Sequence, residues 1–303
     1  MLSVLIPTYN YDCYLLADCM QRQLQASRRD YELIVVEDGS DDVPSMMSNS
    51  RVAELPYCRY IRRKDNVGRA AIKNFLAREA KGDWLLYMDS DAAVTEIFYI
   101  TRLLQAVDTA GTVGVIMGGL RHEKAMPSRE VSLRHRYERA ADRHRSAANR
   151  SRHPYRNVTS FNLCVRRDVM LDIPFDERCR NYGYEDALFG VMLKERGVEV
   201  LHIDNPLVHL GLEPNAVFLE KTETALRTLD SLGMRMLPYS HVGRTMQRLR
   251  RWRMAWAVRR MYSAFGGAMR RNLLGKRPCL TVFALYKLGY LCALQDAKSC
   301  DSR

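Results

Sequence analysis

Trp84-Leu85-Leu86-Tyr87-Met88 runs straight into Asp89-Ser90-Asp91. Five consecutive large apolar side chains leave no polar face for solvent, so the segment predicts a strand buried on both sides of a sheet. Two carboxylates then stand at its mouth, two positions apart. In sheets made of βαβ units, ligands bind beyond the carboxyl ends of the strands. This stretch therefore suggests both a fold class and a place to look.

The flanking sequence repeats the pattern. Residues 3–6, 33–36, 59–61 and 113–117 are short apolar runs, and 14–24, 68–80 and 97–107 between them carry helical spacing. The alternation predicts an α/β fold with a mostly parallel, doubly wound sheet. Residues 121–156 break it: they hold 11 Lys/Arg against 4 Asp/Glu and few large aliphatics, as expected of a surface excursion, partly helical over 132–148. Order returns with strands at 160–165, 198–203 and 207–209, a helix at 187–196, and helices over 215–232 and 241–294. The expected organisation is 1–118 as one half of a domain, 119–215 as its second half, and 216–303 as a basic helical extension.

Hydrophobic residues make up 47% of the 303, and Gly 17 and Pro 10 are too few for a disordered or collagenous chain. The net charge of +12 is not spread evenly. Residues 241–303 hold 14 Lys/Arg and 2 Asp/Glu, which leaves the first 240 residues neutral. Eight cysteines (13, 19, 58, 164, 179, 279, 292 and 300) form no C-x-x-C pair, and residues 2–7 read as a strand rather than a secretory leader. Free thiols in a cytoplasmic protein are the expectation. No apolar run reaches the ~18–20 residues of a membrane span; residues 279–294 come nearest, interrupted by Lys287.

The strand ends are polar. The first finishes in Pro7-Thr8-Tyr9-Asn10 and the second in Glu37-Asp38-Gly39-Ser40. Asp65-Asn66-Val67-Gly68-Arg69 opens a helix that also carries Lys73 and Asn74. Its N-terminus favours anions, and Arg69 or Lys73 can pair with a diphosphate. Asp89 and Asp91 suit a hard divalent cation with a phosphorylated ligand. Tyr184-Glu185-Asp186 opens a later helix, where Asp186 has the chemistry of a general base. His209 closes a short apolar strand and offers an imidazole to the same cation. Each segment alone also reads as ordinary turn or capping chemistry.

Together and in this order, the segments resemble the family 2 glycosyltransferases, inverting enzymes of the GT-A fold. Residues 3–10 resemble the family's first strand, and Val36-Glu37-Asp38-Gly39-Ser40 its V-D-D-G-S, with Glu37 for the first Asp. Asn66, Gly68 and Asn74 match its N-x-G helix, with Lys73 where Arg is usual. Asp89-Ser90-Asp91 matches D-x-D, Gly183–Asp186 the G-x-E-D motif, and Leu207-Val208-His209 the late histidine. The resemblance implies a nucleotide-diphosphate sugar held by Pro7, Thr8, Tyr9, Asn10, Asp38, Asn66, Gly68, Arg69, Lys73, Asp89 and Ser90. It implies Mn²⁺ or Mg²⁺ on Asp91 and His209, an acceptor beside Tyr184 and Glu185, and Asp186 as the base. One displacement then inverts the anomeric carbon.

A sugar-phosphate nucleotidyltransferase shares the sheet and the acidic metal site, but that class wants a Gly-rich basic loop after the first strand. Thr8-Tyr9-Asn10-Tyr11-Asp12 is aromatic and acidic instead. A non-catalytic nucleic-acid or lipid binder explains the basic tail and leaves the acidic segments idle. The expected partners are therefore the sugar donor, a saccharide or lipid-linked acceptor and no nucleic acid. Arginines interleaved with Trp252 and Trp256 point to an anionic membrane surface, the inner face of the cytoplasmic membrane.

Overall fold

The computed structural model describes residues 1–126, 128–179 and 182–301, with side chains through Gln295. The chain forms two compact units. The first comprises Met1–Glu123, Asp142–Arg180 and Glu185–Gly211; the second comprises Lys124–Ala141, Asn181–Tyr184 and Leu212–Arg303.

Among the described residues the first unit contains ten strands: β1 Leu2–Thr8, β2 Tyr31–Asp38, β3 Cys58–Arg63, β4 Trp84–Met88, β5 Ala92–Ala93, β6 Val115–Met117, β7 Leu120–His122, β8 Asn162–Arg166, β9 Val200–His202 and β10 Leu207–His209. Seven form one sheet in the order β3-β2-β1-β4-β8-β6-β9, and β5-β10-β7 form a small second sheet. In the large sheet β3, β2, β1 and β4 are parallel, as are β6 and β9. Only β8 runs antiparallel to its neighbours. An apolar run such as 160–165 specifies burial, and its direction is set by how the chain returns to the sheet.

Alternation along β1 explains the double winding. Leu2, Val4 and Ile6 pack on one face with Leu16, Ala17, Met20 and Leu24 of α1 (Tyr14–Ala26) and Tyr99, Ile100 and Leu103 of the helix Tyr99–Asp108. Leu5 points to the other face, with Ala70, Ile72, Leu76 and Ala77 of the helix Arg69–Glu79 and Phe189 and Leu193 of the helix Glu185–Glu195. Period-2 side chains between two layers of period-3.6 helices bury both faces of the strand. The tyrosine hydroxyls trapped in these cores are satisfied: Tyr87 donates to the Lys73 carbonyl at 2.9 Å and Tyr99 to Asn162 Oδ1 at 2.7 Å.

Helices make up the second unit. The main ones are Asn215–Ser231, His241–Arg251, Ala255–Leu274 and Leu280–Asp301, joined by most of Ser132–Asp142. Leu133, Leu219, Leu273, Phe283 and Tyr286 form its core. Asn215 clamps it: its carboxamide oxygen accepts from the Leu133 N–H at 2.8 Å, and its NH₂ donates to the Gly275 carbonyl at 3.1 Å. Arg134 is a buried structural cation, bonded to Glu138 at 3.0 Å and Glu213 at 2.5 Å. Trp252 and Trp256 are exposed. No described helix is long and apolar enough to cross a membrane.

Candidate active site

The acidic residues at 37–38, 65, 89 and 91 lie in the first unit just at or beyond the carboxyl ends of β2, β3 and β4, and Glu185 and Asp186, also in that unit, open the helix Glu185–Glu195; Tyr184 belongs to the second unit. The end of β1 is stitched to the end of β2 by Asn10, which adopts φ +51°, a region Asn tolerates better than most residues. Its Oδ1 accepts from the Asp41 and Asp42 N–H groups at 2.9 and 3.1 Å, and its backbone N–H donates to Ser40 Oγ at 3.0 Å. Thr8 is buried and donates to the Tyr11 carbonyl, whereas Tyr9 is exposed. Glu37 is buried beneath this corner. It accepts from Asn49 at 2.8 Å, Tyr60 at 3.2 Å and Ser40.

Asp38 is 4% exposed. Its two oxygens accept the N–H groups of Val67 and Gly68, each at 3.1 Å. Burial raises its pKa above the ordinary 3.8, and the two backbone donors and Arg63 oppose that rise. Gly39 makes the approach possible, since at φ +72° a Cβ there would lie 2.3 Å from the Asn66 nitrogen. Gly68, at φ +88°, turns the chain into the helix that carries Arg69 and Lys73.

At the β4 end the partners are side chains. Arg69 donates through Nη2 to Asp89 Oδ2 at 2.9 Å and through Nε to Glu185 Oε1 at 2.8 Å. Lys73 is 1% exposed. Its ammonium donates to Ser160 Oγ and to Asp186 Oδ1 at 3.4 Å, lies 3.9 Å from Glu185, and faces the Phe175 ring at 4.9 Å. Thr159 completes the Asp186 environment by donating to Oδ2 at 3.1 Å. Asp186 is thus oriented through both oxygens, and Lys73 lies beneath it rather than at the surface.

The small sheet sets the third part of the site. β10 pairs antiparallel with β5, placing His209 opposite Ala92, next in the chain to Asp91. His209 Nε2 lies 3.1 Å from Asp91 Oδ2, and the Leu210 N–H donates to the Asp91 carbonyl at 2.9 Å. A Cβ at Gly211 would fall 2.0 Å from Asp91 Oδ2, so a larger residue there would displace that carboxylate. A carboxylate and an imidazole this close can share one divalent cation, and the pair of donors suits Mn²⁺. β10 also runs parallel to β7 with His209 opposite His122, and the two rings meet edge to face at 5.5 Å. His122 Nδ1 bonds Asp142 Oδ1 at 2.8 Å. Nothing in the spacing of residues 121–156 marks His122. Only the β7–β10 register brings it here.

The model of Glycosyl transferase family 2 matches residues 3–173, more than half of the chain. The chain belongs to this family. Among curated relatives, the glycosyltransferase GlyG of Streptococcus pneumoniae is 30% identical over 96 residues, covering 32% of each protein. An uncharacterized glycosyltransferase of Haemophilus influenzae is 30% identical over 94 residues, or 30% of this chain and 36% of its own. The chain thus spans about a third of these curated relatives. Among solved structures, the Mycobacterium tuberculosis glucosyl-3-phosphoglycerate synthase in complex with Mn²⁺, UDP and phosphoglyceric acid superposes with TM-score 0.52. It is 17% identical, over 77% of this chain and 78% of that one. Residues 1–349 of Staphylococcus aureus TarS, in complex with UDP-GlcNAc, give 0.52 at 14% identity over 98% and 91%. These likenesses identify the family 2 sheet as a GT-A-type fold.

Proposed function

We propose that the chain is a glycosyltransferase that moves a sugar from a nucleotide-diphosphate sugar to a hydroxyl acceptor by a metal-assisted, inverting displacement, in cell-surface polysaccharide or glycolipid synthesis. The observation that carries this reading is the clustering of Asp89, Glu185 and Asp186 around Arg69 and Lys73, from segments roughly 100 residues apart, beside the Asp91–His209 pair. The solved relatives bound to UDP or UDP-GlcNAc, one of them with Mn²⁺, support the donor class and the metal.

In this reading Pro7, Thr8, Tyr9 and Asp38 border the nucleoside. Each Asp38 oxygen spends one lone pair on the 67–68 backbone and keeps a second for a ligand N–H or O–H. Asp89 and Ser90 lie where the ribose and the sugar hydroxyls pass, with Asn66, Gly68 and Arg69 beside the diphosphate. Asp91 and His209 would hold the cation, Mn²⁺ or Mg²⁺, which when bound would supply Lewis-acid stabilisation of charge on the diphosphate. Asp186 takes the acceptor hydroxyl's proton as that oxygen attacks the anomeric carbon from the face opposite the leaving group. Lys73 fixes one Asp186 oxygen through its ion pair, and Thr159 fixes the second. Tyr184 and Glu185 flank the acceptor. No covalent enzyme intermediate forms, so the configuration inverts. The exposed Trp252 and Trp256 among arginines favour a peripheral membrane location.

The deciding experiment incubates the protein with a panel of nucleotide sugars and Mn²⁺ or Mg²⁺ and follows nucleotide release. Metal-dependent release from one donor is expected. Neither release nor metal-dependent nucleotide binding across the panel would overturn the assignment.

A further inference from the structure

The second unit contains a partly open cavity of about 730 Å³, within the usual range of small-molecule sites. Its wall is mainly aromatic and aliphatic, and includes Tyr137, Tyr182, Tyr184, Phe218, Phe283 and Leu288. Tyr182 and Tyr184 reach it because the strip that carries them presses against the helix Asn215–Ser231. Gly183 lies there at φ +100°, and a Cβ would fall 2.6 Å from that of Ala225. The Tyr182 carbonyl is anchored by the Thr228 hydroxyl at 3.2 Å. Burial pushes the Tyr184 phenol up to about 12, so it is a neutral group.

Among the described lining residues Lys287 is the one lysine or arginine, and His241 lies on the same wall. The Lys287 ammonium sits 4.4 Å from the centres of both the Tyr137 and Phe283 rings and 3.4 Å from the Tyr137 hydroxyl. Phe283 and Lys287 are one helical turn apart, so ring and ammonium share a face. Among the described residues no carboxylate pairs with Lys287, and no Asp or Glu lines the cavity. An apolar chamber carrying an ammonium with no carboxylate partner among the described residues matches an amphiphile: a hydrocarbon chain with an anionic head.

We infer that this cavity binds the hydrocarbon chain of a phosphate-headed lipid, with Lys287 at the phosphate. Tyr184 is followed in the chain by Glu185 and Asp186, the acceptor-side residues, so the lipid is assigned as the carrier of the acceptor. That last assignment rests on the glycosyl-transfer reading. Binding does not, and a donor-free assay keeps the two apart.

The test uses the full chain with monomeric dodecyl phosphate, dodecanol and inorganic phosphate as probes, and a diazirine-bearing alkyl phosphate for crosslinking and peptide mapping. Dodecyl phosphate is expected to bind more tightly than dodecanol, and inorganic phosphate alone not measurably. Crosslinks are expected on peptides containing Tyr182, Phe218 or Phe283. Lys287→Gln should weaken dodecyl phosphate about tenfold, the value of one charge-assisted hydrogen bond, and leave dodecanol unchanged. Lys287→Arg should restore the difference. Ala284→Trp, on the cavity lining, should weaken both alkyl probes while the helical circular-dichroism signal and the thermal unfolding transition of the full chain persist as the folding control. Equal affinity for alcohol and phosphate would overturn the head-group assignment. Crosslinks confined to the Trp252–Trp256 region, or unaffected by Ala284→Trp, would overturn the site.

Discussion

At the end of β2 the Asp38 carboxylate accepts two backbone N–H groups, from Val67 and Gly68, and almost none of it reaches solvent. At the end of β4 Asp89 shares the Arg69 guanidinium with Glu185, and Asp186 leans on the Lys73 ammonium. Both corners are acidic, but one is wired to main chain and the other to side chains. A carboxylate bonded to main chain holds a loop in place and cannot release it without unfolding the corner. A carboxylate bonded to a half-exposed arginine can exchange that partner for a ligand, at the cost of a pair worth little in solvent. The difference separates scaffold from chemistry more sharply than the presence of acids does.

The largest expected effect tests the chemical corner. Asp186→Asn keeps the shape and one accepting oxygen but removes the base and the charge paired with Lys73, so turnover should fall by about 10²–10⁴ while nucleotide binding is retained. Single-turnover transfer and equilibrium nucleotide binding separate the two. A variant that kept most of its transfer rate would move the base elsewhere. Next comes the cation pair: Asp91→Ala should abolish the metal dependence of nucleotide binding, and His209→Ala should weaken Mn²⁺ by at least about tenfold, read by titration calorimetry.

How much of this was legible beforehand follows from the range of each interaction. The strands of the large sheet and the longer helices of the first unit announce themselves because a strand covered on both faces must be apolar, as 84–88 is, and the helices covering it must carry one apolar stripe, whereas the two short strands Ala92–Ala93 and Leu120–His122 and the helices Val43–Ser50 and Arg167–Asp172 carry no such signal. Motif order located the polar strand ends, since each lies within a few residues of a strand terminus. The partner of Lys73 was not legible. Ser160 lies 87 residues away and Asp186 113, and no local pattern reports a buried ion pair across such separations. His122 was invisible for a related reason: it is brought to His209 by the pairing of two three-residue strands. In the second unit the helices were legible, but the grouping of 124–141 with 212–303 was not, because packing between helices distant in sequence leaves no periodic mark.

A smaller effect tests the scaffold corner. Asp38→Ala removes two charge-assisted bonds and strands two N–H groups, and should cost about 2–4 kcal/mol in urea denaturation. Asp89→Ala should cost less than about 1 kcal/mol, because Arg69 is half-exposed and retains Glu185. Equal losses would erase the distinction between the corners.

The smallest expected effect is the pH signature of the same scaffold carboxylate. Burial holds the folded-state pKa of Asp38 above the ordinary 3.8, so the folded protein takes up this proton at a higher pH than the unfolded chain does. In the window between the two values the folded state binds more protons. The contribution of Asp38 to stability therefore declines as pH rises through the folded pKa and is greatest below 3.8. Asp38→Asn has no proton to bind and should lack that slope. The quantity to follow is the difference in unfolding free energy between wild type and Asp38→Asn, measured from about pH 3.5 to pH 7, where the acid unfolding common to both proteins cancels. A difference that grew in favour of wild type as pH rose would mean that the Val67 and Gly68 donors outweigh burial, and that the β2 corner binds its carboxylate as firmly in charge as in shape.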